Sequence, residues 1–334
     1  MTTQRVAVVT GPRAVELRDI PRQEAGAHEV LIQVQASALC TWEQRTYSGV
    51  DKETNYSFVG GHEYAGTLVE LGPNVRTTLQ VGDRVAVGPQ NLGPHEQQRH
   101  LAFDEGLWGP FGLGEYRAIP IDRAYELGED LDIAHGCFAE PMACVIKAID
   151  QLDPQLGDDV VVVGAGVIGL LHLQIALLRG ARVTMIDLDA DRRDFAMSQG
   201  AHAAVDPVAA PTGDQVRELT GGKGAAFVIV AVGNHQANLD AVDMVADFGT
   251  VMLFASAHPT TELAIDPNVI HRRQLTITGT RHPSIEGFRK AVDLLSKGIV
   301  DVQPLIQELI PLDEIERAFE LAIRPDSYRI IVTM

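Results

Sequence analysis

Cysteine is scarce in this sequence of 334 residues, which contains only Cys40, Cys137 and Cys144. An odd and small number of cysteines excludes the disulfide framework of a secreted domain. We therefore expect reduced thiols or metal ligands, and a cytoplasmic protein.

Long apolar runs and an excess of positive charge are also missing. There is no run of about 20 apolar residues and no charged-then-apolar leader, which predicts a soluble protein. The chain has 27 Lys and Arg residues against 45 Asp and Glu residues, a formal net charge of −18. This charge would repel phosphate backbones and anionic lipids, so neither nucleic acid nor a membrane is expected as a partner.

Chain length and hydrophobic patterning predict two domains. Up to about residue 150 the pattern is that of short β-strands separated by turn sequences such as Gly72-Pro73-Asn74. The predicted strands of this β-rich region are Arg5–Val9, Val30–Gln35, Tyr64–Leu71, Arg84–Val87 and Tyr116–Ile119.

From about Asp150 strands and helices alternate, which predicts a doubly wound parallel sheet, because parallel strands need crossover connections. The predicted strands are Val160–Val163, Arg182–Asp187, Ala203–Val205, Ala226–Val232, Thr250–Ala255 and Leu275–Gly279. After Arg281 the pattern indicates helices at Ser284–Ser296 and Leu312–Ala322 and an edge strand at Arg329–Thr333. Spacing alone leaves open whether this last part returns to the first domain.

A glycine-rich turn follows four consecutive valines in the second region. Gly164 would make a tight turn, Gly166 would let the backbone approach a pyrophosphate, and Gly169 would pack the next helix against its strand. The pyrophosphate would lie at the helix N-terminus, beside Val167 and Ile168. The spacing and its context predict a dinucleotide site.

Asp187 ends the next predicted strand, where an acidic side chain binds the adenosine ribose hydroxyls and repels a 2′-phosphate. NAD is therefore the expected cofactor. Arg192 and Arg193 keep NADP open, and capping of the next helix is the alternative role of Asp187. The remaining expected cofactor contacts are Val232 and Gly279, at the ends of later predicted strands.

Cys40, His62, Glu63 and Glu140 are candidate ligands of a catalytic metal ion. Zinc accepts thiolate, imidazole and carboxylate ligands, and a catalytic zinc keeps one position open. Each residue alone has a simpler explanation, as a buried thiol, a turn histidine or a surface acid. The combination predicts a zinc site.

Together these motifs resemble the zinc-dependent medium-chain dehydrogenases of the alcohol and polyol dehydrogenase superfamily, in particular the sorbitol, threonine and glucose dehydrogenase branch. The resemblance covers essentially the whole chain, and the matching segments stand in the family's order. They are Ala38-Leu39-Cys40, Gly61-His62-Glu63-Tyr64-Ala65-Gly66, Val81-Gly82-Asp83-Arg84-Val85, Phe138-Ala139-Glu140-Pro141-Met142-Ala143 and the Gly164 turn. The resemblance implies an α/β protein with a GroES-like β-rich catalytic domain, 1–149 with 281–334, and an inserted Rossmann NAD(P)-binding domain, 150–280.

The resemblance also implies roles for the candidate ligands. Cys40 and His62 correspond to the family's first two zinc ligands, Glu63 to the glutamate beside the metal and Glu140 to the remaining position. A glutamate followed by proline at that position resembles the branch that acts on polyols and sugars. Glu63 and Glu140 are alternatives as the inner ligand, and the register of Cys137 fits a packed helix residue better than a ligand.

Two features depart from the family. Residues 88–114 correspond to the lobe in which most members bind a structural zinc through four cysteines, and this segment has none. We therefore expect one catalytic zinc and no structural zinc. His95, His100, Asp104 and Glu105, in the same loop, are interpreted as polar surface.

The second departure is Trp42, which stands where the family usually has a serine or threonine that relays the substrate proton. An indole cannot relay a proton as a hydroxyl does. Thr41, Glu43 or water would then take over the relay, or the reaction needs none, as in conjugate reduction of an enal.

The leading expectation is an NAD-dependent zinc enzyme that oxidises a secondary alcohol of a polyol, sugar or cyclitol, as a homodimer or homotetramer. The alternatives are an NADPH-dependent carbonyl or enone reductase and a nucleotide-binding sensor without turnover.

Overall fold

The computed structural model describes residues 2–50, 55–88, 106–258 and 260–334. The chain forms two compact units, the first made of Met1–Ala143 with Ser284–Met334 and the second of Cys144–Pro283. Four residues interpreted above as polar surface lie outside the described residues: His95, His100, Asp104 and Glu105. We retain 1–149 with 281–334 and 150–280 as the proposed domain limits.

The strands and helices are numbered in chain order. The strands are β1 Thr3–Gly11, β2 Ala14–Pro21, β3 Glu29–Ala38, β4 Glu63–Leu71, β5 Arg84–Val87, β6 Tyr116–Pro120, β7 Ala124–Glu126, β8 Asp159–Val163, β9 Arg182–Ile186, β10 Ala203–Val205, β11 Ala225–Val230, β12 Val245–Leu253, β13 Thr276–Gly279, β14 Ile306–Pro311 and β15 Arg329–Thr333. The α-helices are α1 Thr41–Ser48, α2 Ile133–Gly136, α3 Ala139–Leu152, α4 Val167–Leu178, α5 Ala190–Ser198, α6 Thr212–Leu219, α7 His235–Met244, α8 Pro267–Arg273, α9 Ile285–Ser296 and α10 Ile315–Ala322. Short 3-10 helices occupy Ile121–Arg123, Gln303–Leu305 and Leu312–Glu314.

The first unit is β-rich, as its alternating patterns predict. Its main sheet has seven strands in the order β14-β15-β3-β4-β5-β7, with β6 also paired to β3, and β1 and β2 form a separate hairpin. The pairing of β3 with β4 sets Ala38 opposite Glu63, and that of β15 with β3 sets Ile331 opposite Ala38. This register brings the end of β3, the start of β4 and the last strand to one place.

The prediction of an edge strand at Arg329–Thr333 is wrong. β15 lies inside the sheet, between β14 and β3, and its first four residues are buried. The sequence pattern did not reveal β14, which pairs in parallel with β15 and covers its second edge. A strand that is buried on both faces typically has a continuous run of apolar residues, and Ile330–Val332 is such a run.

The second unit is the predicted doubly wound sheet. Six parallel strands follow the order β10-β9-β8-β11-β12-β13, which confirms the expected α/β class. Strand order reverses between β8 and β11. Open α/β sheets bind ligands at such a reversal, in the crevice outside the carboxyl ends of the strands.

Each unit has its own apolar core. In the first, Tyr47 and Phe319 pack with Phe58 against the sheet, and in the second, Val161 and Val228 belong to a cluster between sheet and helices. Among the described residues, no helix combines the length and the apolarity that crossing a membrane requires.

Candidate functional site

Cys40, His62 and Glu63 meet in the first unit. One ligand atom from each, the thiol sulfur, a ring nitrogen and a carboxylate oxygen, lies within 4.8 Å of the other two. Cys40 is the N-cap of α1, two residues after the end of β3, and Glu63 is the first residue of β4. The antiparallel register of β3 and β4 therefore assembles the three donors, which are the types that zinc prefers.

Glu43 supports this cluster from behind. Its buried carboxylate accepts hydrogen bonds from the N–H of Cys40 at 3.2 Å and of Gly61 at 3.0 Å, and lies 2.9 Å from His62 Nδ1. Although burial opposes ionisation, the His62 ring and the N–H of Gly61 keep the pKa of Glu43 below its ordinary value. With Nδ1–H donated to Glu43, Nε2 of His62 is the nitrogen left for a metal.

This geometry bears on the relay that the sequence suggested for Glu43. Both carboxylate oxygens face groups of the site's own loops, so Glu43 is arranged to orient His62 rather than to meet a substrate. Thr41, the other proposed relay, is exposed in the first turn of α1. Trp42 follows it, half-buried, with its ring centroid 5.4 Å from that of His62.

Glu63 forms a buried ion pair with Arg329, a residue that sequence reasoning missed. Arg329 Nη2 lies 3.3 Å from Glu63 Oε1, and Nη1 donates to the carbonyl of Leu39 at 3.1 Å. Both side chains are almost completely buried. The available signal was a lone basic residue at the start of an otherwise apolar final strand.

The chemistry of these donors fits a bound cation. Oε2 of Glu63 is buried without a hydrogen-bond partner among the described residues, and burial raises the pKa of this carboxyl to about 7. Burial also raises the pKa of the Cys40 thiol, and the charge of Glu63 adds to the increase. A divalent cation would satisfy the orphaned oxygen and favour the thiolate.

Glu140 does not join the three-residue cluster in this structure. It is half-buried in the first turn of α3, and its charge is one of the influences that raise the pKa of Glu63. Cys137 is fully buried and also lies outside the cluster of Cys40, His62 and Glu63.

The glycine-rich turn of the second unit is sterically constrained. Gly164 has a φ of +102°, and a Cβ there would lie 2.5 Å from a methyl carbon of Val232. A Cβ on Gly169 would lie 1.7 Å from the carbonyl oxygen of Gly164. Gly166 is the N-cap of α4, which begins with Val167 and Ile168. Helix and strand therefore approach as closely as the sequence pattern predicts.

Asp187 lies at the carboxyl end of β9, beside this turn. Its Oδ2 accepts the N–H of Ala165 at 2.7 Å and its Oδ1 the N–H of Asp189 at 2.9 Å. Asp189 itself caps α5 by accepting the N–H of Arg192. The capping role considered for Asp187 thus belongs to Asp189, and Asp187 ties the strand end to the glycine turn.

The other expected cofactor residues lie along the same edge of the sheet. Val232 follows β11, which neighbours β8, and Gly279 ends β13. Arg192 Nη1 is 3.5 Å from the position that a Cβ on Gly166 would take, so the guanidinium of Arg192 lies beside the glycine-rich turn.

Comparison with known proteins supports the two-part organisation. The family model of the alcohol dehydrogenase GroES-like domain matches residues 26–129, and that of zinc-binding dehydrogenases matches residues 167–297. The sorbitol dehydrogenase of Bombyx mori is 27% identical, with 99% of each chain covered. The L-threonine 3-dehydrogenase of Idiomarina loihiensis is also 27% identical, with 95% of each chain covered. A solved Sinorhizobium meliloti 1021 protein with NADP bound, described as a candidate zinc-binding dehydrogenase, is 26% identical with a TM-score of 0.87 and full coverage of both chains.

Proposed function

Because this chain belongs to the zinc-dependent medium-chain dehydrogenase superfamily, we propose that it transfers a hydride between a nicotinamide cofactor and a secondary alcohol or ketone of a polyol, sugar or cyclitol. The superfamily assignment makes it a dehydrogenase acting on CH–OH groups. The observation that carries the proposal is the convergence of Cys40, His62 and Glu63 within 4.8 Å.

In this proposal Cys40, His62 and Glu63 hold the metal, with Glu140 as the alternative carboxylate. Zinc bound there supplies a Lewis acid that lowers the pKa of a substrate hydroxyl or polarises a carbonyl. Glu43 fixes the orientation and tautomer of the His62 ring. Arg329 holds one oxygen of Glu63 and leaves the other for the site.

The second unit is proposed to bind the cofactor. The N–H groups at the start of α4 would receive the pyrophosphate, and Gly164 and Gly166 would allow its close approach. Asp187 would accept hydrogen bonds from the ribose hydroxyls, which supports NAD, whereas Arg192 beside the turn supports NADP. We propose NAD as the main cofactor and a homodimer or homotetramer as the assembly.

Proton transfer differs from the usual family arrangement. Trp42 has no group that exchanges a proton on the catalytic time scale. The exposed hydroxyl of Thr41, next to Cys40 in the sequence, is the residue we propose for passing a substrate proton to solvent.

The test is formation of reduced cofactor, followed at saturating NAD and separately NADP, across polyols, aldoses, inositols and simple alcohols. Turnover with hydroxylated substrates, abolished in His62→Ala but kept in the exposed His271→Ala, is the expected result. Absence of turnover with every alcohol in zinc-loaded protein would refute the proposal.

The second candidate is an NADPH-dependent carbonyl or enone reductase. It is favoured by Trp42, since conjugate reduction needs no hydroxyl relay, and by Arg192 at the glycine turn. Consumption of NADPH with enals or enones, together with no oxidation of any alcohol, would establish the reductase function in place of the dehydrogenase function.

A further inference from the structure

Both tryptophans of the chain lie in one row of aromatic rings that starts at His62. The ring centroids of His62 and Trp42 are 5.4 Å apart, those of Trp42 and Phe58 5.2 Å, and those of Phe58 and Trp108 4.8 Å. Phe58 is completely buried, and the two tryptophans that flank it keep part of their surface exposed. We call these four side chains the aromatic row.

The aromatic row is anchored by the backbone. Phe58 and Val9 exchange backbone hydrogen bonds, at 2.8 Å and 3.1 Å. The indole N–H of Trp108 donates to the carbonyl of Asn55 at 2.5 Å. Trp42 lies in the first turn of α1, which the hydrogen bond between Cys40 and Glu43 fixes. The side chains of the aromatic row are therefore already ordered before a ligand binds, so binding costs them little conformational entropy.

Trp42 differs from Trp108 in its polar group. Within the part of the chain that the structure describes, the indole N–H of Trp42 has no acceptor. Trp42 thus offers a ligand a partly exposed indole and a hydrogen-bond donor, with its ring centroid 5.4 Å from that of His62. An apolar ring with one placed hydrogen-bond donor is typical of side chains that fix the orientation of a ligand in a binding site.

We propose that Trp42 selects substrates in ring form, so that the hydroxylated substrate is a pyranose or a cyclitol whose C–H face stacks on the indole. An aromatic face is electronegative and attracts C–H groups that neighbouring oxygens polarise. An open-chain polyol must immobilise several carbon–carbon torsions when it binds against the indole, whereas the torsions within a ring are already constrained. This inference rests on the proposed function, because it narrows the substrate of the same site.

Binding is tested without turnover by tryptophan emission. In zinc-loaded Trp108→Phe protein without nicotinamide cofactor, no alcohol can be oxidised and Trp42 is the only tryptophan. Methyl β-D-glucopyranoside and myo-inositol should change its emission and saturate at concentrations about tenfold lower than ribitol and D-mannitol. Equal saturation by the two classes, a preference for the open chains, or no change with any of the four compounds would overturn the proposal.

Kinetics of Trp42 variants give the second arm. The measured quantity is the ratio of kcat/KM for ring substrates to kcat/KM for open-chain polyols. Trp42→Phe keeps an aromatic ring and should retain this ratio, whereas in Trp42→Ser the ratio should fall about tenfold. Phe248→Ser, at an exposed aromatic of the second unit, is the matched control and should keep the wild-type ratio. If no alcohol is oxidised, the proposed function fails and the emission titration still decides the role of Trp42. If open-chain polyols are oxidised as well as rings, the function stands and this inference falls.

Discussion

At the scale of single residues, the ion pair of Glu63 and Arg329 joins the candidate metal centre to the last strand. Removing Arg329 would leave a carboxylate in the interior without its cation. In the metal-free protein Arg329→Met should therefore lower the free energy of unfolding by about 3–5 kcal/mol, measured by urea titration. The exposed Arg324→Met should change it by less than about 0.5 kcal/mol. Equal effects of both variants would show that the pair is not buried in solution.

Glu43 has an effect of a different kind, because it acts through His62. Glu43→Gln keeps the size of the side chain but turns an anionic acceptor of three hydrogen bonds into a neutral amide. We expect zinc affinity to fall about 10- to 100-fold, measured by competition with a chelating dye. The exposed Glu24→Gln should retain the wild-type affinity. Unchanged affinity in Glu43→Gln would remove Glu43 from the account of the metal site.

At the scale of elements, the contact between β8 and α4 decides whether the nucleotide turn can form. Gly169→Ala places a methyl group where only 1.7 Å separates it from the Gly164 carbonyl oxygen, so helix and strand must move apart. NADH binding, followed by its fluorescence, should be lost while the first unit still binds zinc. Gly11→Ala, whose added methyl group would lie 3.9 Å from the Cβ of Ala14, an ordinary contact, should bind NADH normally. Normal NADH binding by Gly169→Ala would contradict the packing described for the turn.

Helix α4 also contains a buried histidine that makes stability depend on pH. His172 Nδ1–H donates to the carbonyl of Ile168 at 2.9 Å, and burial lowers its pKa to about 4 from the ordinary 6.5. As pH falls from 6.5 to 4 the unfolded chain gains this proton and the folded chain does not. The free energy of unfolding should therefore fall over that window, by up to about 3 kcal/mol, and not change above it on this account.

Replacing the histidine tests this linkage. His172→Leu should lose less stability than the wild type between pH 6.5 and pH 4, as measured by chemical unfolding at each pH. The exposed His271→Leu should follow the wild-type curve. Identical curves for all three proteins would assign the acid sensitivity to other groups.

At the scale of the whole molecule, the sequence predicts those features that are encoded within short segments of the chain. The glycine turn, the six-strand α/β alternation and the pair His62-Glu63 are encoded within short segments, so their pattern is visible without the fold. Arg329 meets Glu63 only through the pairing of β15 with β3, across 266 residues. The same long-range pairing places β14 beside β15 and turns a predicted edge strand into an interior one. The orienting role that we propose for Glu43 is not visible in the sequence, because the hydrogen bonds that indicate it come from Gly61 and His62, beyond its own helix.

Metal content tests most directly whether Cys40, His62 and Glu63 form a metal centre. Protein purified without chelator should contain about one zinc per chain by elemental analysis, because the donor set is that of a catalytic site. Cys137→Ser, which alters a buried thiol outside the cluster, should keep that zinc, and Cys40→Ser should lose it. Full zinc content in Cys40→Ser, or none in the wild type, would contradict the account.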